Sequence, residues 1–184
     1  MAKYDPELLK KVQAAYKDPA YRDALNMIAA SEGTYNQGAD GYNVRFGGTL
    51  ISDMSKHPDA VASYRDKNNK TIQSTAAGRY QFIKSTWDDY AEKLGLKDFS
   101  PMSQDLAAIA MMIDKGAAKD IENGNLTGIV NRLNSTWTSL PGSAVGAKHH
   151  GLRNPAFVAG AYNQSREARG EKPVSFDWGG IAYT

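Results

Sequence analysis

The feature that most constrains this chain is a helix that opens at Pro19 and stops at a carboxylate. Asp18 suits the N-cap and Pro19 the first turn. Tyr21, Leu25 and Ile28 recur at i, i+4 and i+7, so they share one face. Gly33 supplies the left-handed residue that ends such a helix. Glu32 is thereby placed in the last turn, where the helix dipole is negative. The dipole and partial burial both raise the pKa of a carboxyl there. An acid that keeps its proton near neutral pH is able to protonate a leaving group. On Ser31-Glu32-Gly33-Thr34 alone, a solvated glutamate at a helix end is the simpler account.

A chain of 184 residues suits one domain. At that length about 70% of the unfolded surface is buried on folding, and no staple is needed. Charged residues at 23% and hydrophobic ones at 41% describe a soluble globular protein. The net charge of +2 argues against a dedicated nucleic-acid binder, which needs a clustered basic face. Weak attraction to an anionic polymer remains open. There is no cysteine, which excludes disulfides and thiolate chemistry. Met1–Pro6 has no apolar signal core, and no apolar run is long enough to span a membrane. A monomer without stable membrane insertion is expected.

Periodicity predicts helices over 6–17 and 18–32, then a glycine-rich polar stretch over 33–75. Tyr42–Phe46 alternates and Gly47-Gly48 is a turn signal, so a short hairpin is expected across 42–51. Asp66–Lys70 reads as a mobile loop or tip. Tyr80, Ile83, Trp87, Tyr90 and Leu94 form a helical stripe ended by Gly95. Ser100 caps a strongly apolar helix, expected at the centre of the core. Further helices are expected over 126–137 and from Asn154 to Arg169, with a flexible lip at 142–146 between them. The tail from Glu171 shows no clear period. The outline is α+β, mainly helical, with a small β-hairpin element.

Several blocks carry a resemblance. They are Ala30–Thr34, Gly41-Tyr42, Phe46–Gly48, Ser74–Gln81, Leu94–Asp105 and Ser139–Gly142. In this order and spacing they resemble the bacteriophage lambda endolysin family over about residues 26–142. The resemblance implies a single lysozyme-like domain over 1–184, with a cleft between a helical lobe and a small β lobe. Residues 1–25 are then an N-terminal extension and 144–184 a divergent C-terminal one. It implies a peptidoglycan lytic transglycosylase that cleaves the β-1,4 bond between N-acetylmuramic acid and N-acetylglucosamine. The product is a 1,6-anhydro sugar, and water is not used. The family's essential acid matches Glu32. Its glycan-cleft motif matches Gly78-Arg79-Tyr80-Gln81, and a second polar contact matches Gln104. Gln81, Tyr80 and Gln104 are therefore expected to bind substrate. Gln81 suits a sugar cleft because its amide both donates and accepts. Arg79 is expected to pair with an acidic neighbour.

The resemblance implies no metal or other cofactor. Its partners are peptidoglycan strands and, for release, a holin-type membrane protein. The enzyme would wait in the host cytoplasm and act in the periplasm. Association with the virion is the other location to consider. A muramidase of the same fold is an alternative, with Asp40 or Asp53 as second acid. A wall-binding or structural virion domain is another. His149-His150 lacks a ligand cluster around it and reads as surface. His57 reads as a loop residue.

Overall fold

The structure, a computed structural model, describes residues 3–184. Two capped helices open it: α1 (Pro6–Tyr16) and α2 (Pro19–Glu32). The Asp5 carboxylate accepts from the Leu8 amide and the Asp18 carboxylate from the Ala20 amide, each at 2.9 Å. Those amides would otherwise lack partners at a helix start. Gly33, at φ 78°, ends α2 in the left-handed region, so the expected stop after Glu32 is present.

The expected hairpin over 42–51 is reduced to one antiparallel bridge between Val44 and Leu50. The Arg45 amide still donates to Thr49 O at 2.8 Å, but part of the backbone is engaged elsewhere. The Phe46 amide donates to Ala76 O and the Gly78 amide to Val44 O, both at 2.8 Å. The regular hairpin lies further on, in β1 (Ala62–Arg65) and β2 (Thr71–Ser74). Tyr64 faces Ile72 in its antiparallel register. The expected tip, Asp66–Lys70, is its turn. There the Asp66 carboxylate accepts from the amides of Asn68 and Lys70, each at 2.9 Å.

Helix α3 (Lys84–Leu94) starts later than the aromatic stripe suggested. Gly78 and Gln81 both have positive φ, 81° and 51°, which excludes a helix there. Tyr80 reaches the core from that turn. Helix α4 (Pro101–Asp114) is the central helix, buried without interruption from Ser103 to Met112. Helices α5 (Ala118–Glu122) and α6 (Leu126–Leu133) follow, and α6 is shorter than expected. The expected lip is a short helix, α7 (Ala144–His149), capped by Ser143. Helix α8 (Pro155–Ala168) packs along α2. The tail holds a second hairpin, β3 (Phe176–Trp178) with β4 (Ile181–Tyr183), which no sequence period announced. Phe176 anchors it, fully buried in the core.

Two carboxylates are buried as structural hubs. Asp23 is held by Arg169 at 2.7 Å and Ser165 Oγ at 2.8 Å, fastening α8 to α2. Asp105 accepts from Arg22 at 2.6 Å, Tyr80 Oη at 2.5 Å and Tyr42 Oη at 2.8 Å. That network ties α2, the β side and the 78–81 turn to the central helix. Among the described residues, no helix is long and apolar enough to cross a membrane.

Candidate active site

Helix α2 delivers Glu32 to the wall of a cavity of about 490 Å3. From the β side it is lined by Phe46 and Tyr64, whose rings lie 4.7 Å apart. Thr138, Ser139 and residues 150–153 form the opposite wall. Glu32 is the one carboxylate among the cavity's lining residues.

Burial is the largest influence on Glu32 and pushes its pKa up to about 7. Two groups pull the other way. Ser139 Oγ donates to Glu32 Oε1 at 2.8 Å, and the Arg153 guanidinium adds a nearby positive charge. Arg153 is itself held by its Nε, which donates to the Ser31 carbonyl at 2.9 Å. The result is a carboxyl about half protonated at neutral pH, in a cavity large enough for a sugar ring. Such a group suits general acid–base work.

The 78–81 motif is built differently from its expected role. Arg79 is buried. Its guanidinium donates to Asp40 O and Asn26 Oδ1, each at 2.9 Å, and Asp40 Oδ2 lies 3.6 Å away. That is the structural pair expected of it. Tyr80 is 1% exposed and Gln104 is 0% exposed. Tyr80 Oη is committed to Asp105. The Gln104 amide donates to Tyr42 O at 2.9 Å and Phe99 O at 2.8 Å, and its Oε1 accepts from the Arg79 amide at 2.9 Å. Neither side chain has surface left for a sugar. The expectation of direct substrate contact is corrected for both: they hold the turn in place. Gly78 is required there. A Cβ would overlap the Gln104 amide and come within 2.8 Å of the Phe99 ring.

Gln81 stands apart. It is partly exposed, and its Nε2 donates to Gly78 O at 2.8 Å and Val44 O at 3.2 Å. Its Oε1 has no protein donor among the described residues. It is not part of the wall around Glu32. Its left-handed backbone is uncommon for a residue with a side chain and costs energy that the turn supplies.

Asp40 and Asp53 do not reach the cavity. Asp40 is half exposed beside Arg79. Asp53 is exposed, and it accepts from the Ser55 hydroxyl and amide, which hold its carboxyl below the usual range. His57 sits in a loop, as expected, and is buried there. Its ring bonds to Phe82 O at 2.8 Å and accepts from the Asp59 amide. Burial pushes its pKa down. His150 lines the Glu32 cavity, with Nε2 2.9 Å from Thr138 Oγ1. No cluster of three or more metal-binding side chains occurs among the described residues.

Sequence reasoning missed Ser139, Arg153, Tyr64 and His150. Ser139 lay inside a resemblance block, but nothing in that block ties its hydroxyl to Glu32. The others are 32 or more positions away from it in the chain.

The sequence model of the endolysin family matches residues 22–165, which includes the whole wall around Glu32. The chain belongs to the endolysin family. The match continues past Ala144, where the motifs had stopped being readable. The endolysin of Escherichia phage lambda is 41% identical over 130 residues, covering 68% of this chain and 80% of that protein. The endolysin of Escherichia phage P2 is 38% identical over 143 residues, covering 73% and 87%. Among solved structures, bacteriophage lambda lysozyme complexed with a chitohexasaccharide aligns with a TM-score of 0.73 at 35% identity. It covers 84% of this chain and 97% of that one. A second lysozyme structure from bacteriophage lambda gives 0.70 at 32%. The α+β lysozyme-like fold expected from the sequence is thus established for this endolysin.

Proposed function

We propose that this endolysin cleaves peptidoglycan as a lytic transglycosylase, with Glu32 as both acid and base. The observation that carries the reading is the cavity's single carboxylate, its pKa raised to about 7. Hydrolases of glycosides ordinarily need two carboxylates, about 5–5.5 Å apart for retention or about 6.5–9.5 Å for inversion. Asp40 and Asp53 lie outside the cavity, so a hydrolytic second acid has no candidate in its wall. A transglycosylase needs only one.

Protonated Glu32 gives its proton to the oxygen between N-acetylmuramic acid and N-acetylglucosamine as that C–O bond breaks. The 2-acetamido oxygen of the muramic acid supports the electron-poor anomeric carbon. Glu32, now a carboxylate, takes the proton from the C6 hydroxyl of the same sugar. That oxygen bonds to the anomeric carbon and closes the 1,6-anhydro ring. The nucleophile is intramolecular, so little entropy is lost on reaching it. Proton transfer of this kind accounts for ~10²–10⁴ in rate. Ser139 and Arg153 favour the carboxylate form and so assist the first half of the cycle, in which Glu32 gives up its proton. Gln81 is proposed to offer its free Oε1 to a substrate N–H or hydroxyl from the β side.

The setting proposed is host lysis, with a holin-type membrane partner admitting the protein to the wall. The chitohexasaccharide complex of the lambda lysozyme supports a glycan as the ligand class. Mass spectrometry of muropeptides released from purified peptidoglycan tests the chemistry. Products with 1,6-anhydro ends, lost in Glu32→Gln, are expected. Reducing ends, heavier by one water, would overturn the mechanism.

A further inference from the structure

Arg153 lines a second depression besides the Glu32 cavity. This is a groove of about 550 Å3 between the end of α2 and α8. Its floor is made of small residues: Ala30, Gly33, Ala156, Gly160 and Ala161. A Cβ on Gly160 would meet nothing within 4 Å, so the floor is open there. Tyr35 and Phe157 wall it, both partly exposed aromatics. Farther along, a cavity of about 400 Å3 shares Ala30, Tyr35, Ala161 and Gln164 with it and ends at Arg22 and Arg169.

The polar groups of this path are prepared for a ligand. Arg153 is pinned by its Nε on Ser31 O, and its guanidinium carbon sits 5.0 Å from the Phe157 ring centroid. Its terminal N–H groups have no hydrogen-bond acceptor among the described residues. The Gln164 amide likewise has no partner among them, and it is exposed in the shared stretch. Pre-set guanidinium donors of this kind suit a carboxylate.

We propose that this groove receives the stem peptide hanging from the muramic acid bound beside Glu32, with Arg153 meeting a peptide carboxylate at the entrance. The inference rests on the transglycosylase reading. In that reading the muramic acid is the sugar whose anomeric carbon reacts, so its lactyl arm leaves within a few bonds of Glu32. Arg153 borders both spaces, which makes the groove an immediate exit for that arm. The dimensions agree. An extended peptide of five residues spans ~17 Å, and the 14 residues of α8 run ~21 Å. At the far end Arg22 and Arg169 are already paired with Asp105 and Asp23, so recognition of a peptide carboxylate rests on Arg153 at the entrance.

The test compares peptidoglycan strands that keep their stem peptides with the same strands stripped by an amidase. The quantity read is the ratio of kcat/KM on the two substrates. Any effect of a substitution on Glu32 itself acts on both and cancels. The parent protein is expected to prefer peptide-bearing strands. Gly160→Phe, which fills the groove, and Arg153→Gln, which removes the cation, are each expected to cut that preference roughly tenfold. Arg153→Gln alters an exposed side chain and keeps the test open should Gly160→Phe fail to fold. A parent without preference, or a preference that survives substitution in folded protein, overturns the proposal. If the parent makes no anhydro product from either substrate, the transglycosylase reading falls instead.

Discussion

Replacing Glu32 by glutamine is expected to stabilise the protein while abolishing its activity, and to do so only above a certain pH. The folded carboxyl has a pKa of about 7 against an ordinary 4.5, because burial disfavours its charged form. That gap corresponds to about 3 kcal/mol, at roughly 1.4 kcal/mol per pH unit. Below pH 4.5 the carboxyl is protonated in folded and unfolded chains alike, and it costs nothing. Between about 4.5 and 7 the unfolded chain releases the proton while the folded one retains it, so stability falls as pH rises. Above about 7 the full penalty is present. Glutamine is neutral throughout and nearly isosteric, so it removes the penalty. Partial exposure of the carboxyl to solvent reduces the net figure to about 2 kcal/mol. In a chain of this size that is a rise of about 4–8 °C in Tm. Urea unfolding of parent and Glu32→Gln at pH 4, 6 and 8.5 measures it. Other titrating groups are common to both proteins and cancel in the difference. A difference that is flat with pH, or largest at pH 4, would refute the placement of Glu32 as a desolvated acid.

Three other outcomes are expected. Ser139→Ala removes a donor that favours ionised Glu32, so the alkaline limb of the pH–activity profile should move up by about one pH unit; a downward move contradicts the assignment. Tyr80→Phe should lower unfolding free energy by about 1–2 kcal/mol in denaturant titration, with KM for glycan strands changed less than about twofold. A large rise in KM would restore Tyr80 as a substrate contact. Arg169→Met leaves Asp23 buried without its cation and should cost about 3–5 kcal/mol in the same assay.

The helices were legible where local chemistry decides them. Asp18, Pro19 and Gly33 set the limits of α2, and those limits depend on nothing distant. The same holds for Ser100 and Pro101 at the start of α4. The β elements were not legible in the same way. Val44–Phe46 alternates like a strand, but besides the 49–51 segment it pairs with 76–78, a choice made by tertiary packing. The C-terminal hairpin has three-residue strands, too short to show a period. At the site, Glu32 was readable because one helix end specifies it. Its partners were not. Ser139 and Arg153 lie 107 and 121 positions away and meet it only through the fold. Tyr80 and Gln104 were misassigned for a related reason. A residue in a shared motif reads alike whether it touches the ligand or holds the turn that does.

The Asp105 hub bears on the order of events in folding. Its donors come from residues 22, 42 and 80, so the network closes only after three distant segments arrive. Until then a carboxylate in the most apolar helix must stay hydrated, which keeps α4 from settling early. Loop closure over 83 residues is costly before it is rewarded. Breaking the hub should therefore leave the folding rate nearly untouched and speed unfolding, with φ-values near zero. The hub then acts as a late clasp that governs how long this lysozyme-like fold survives once formed.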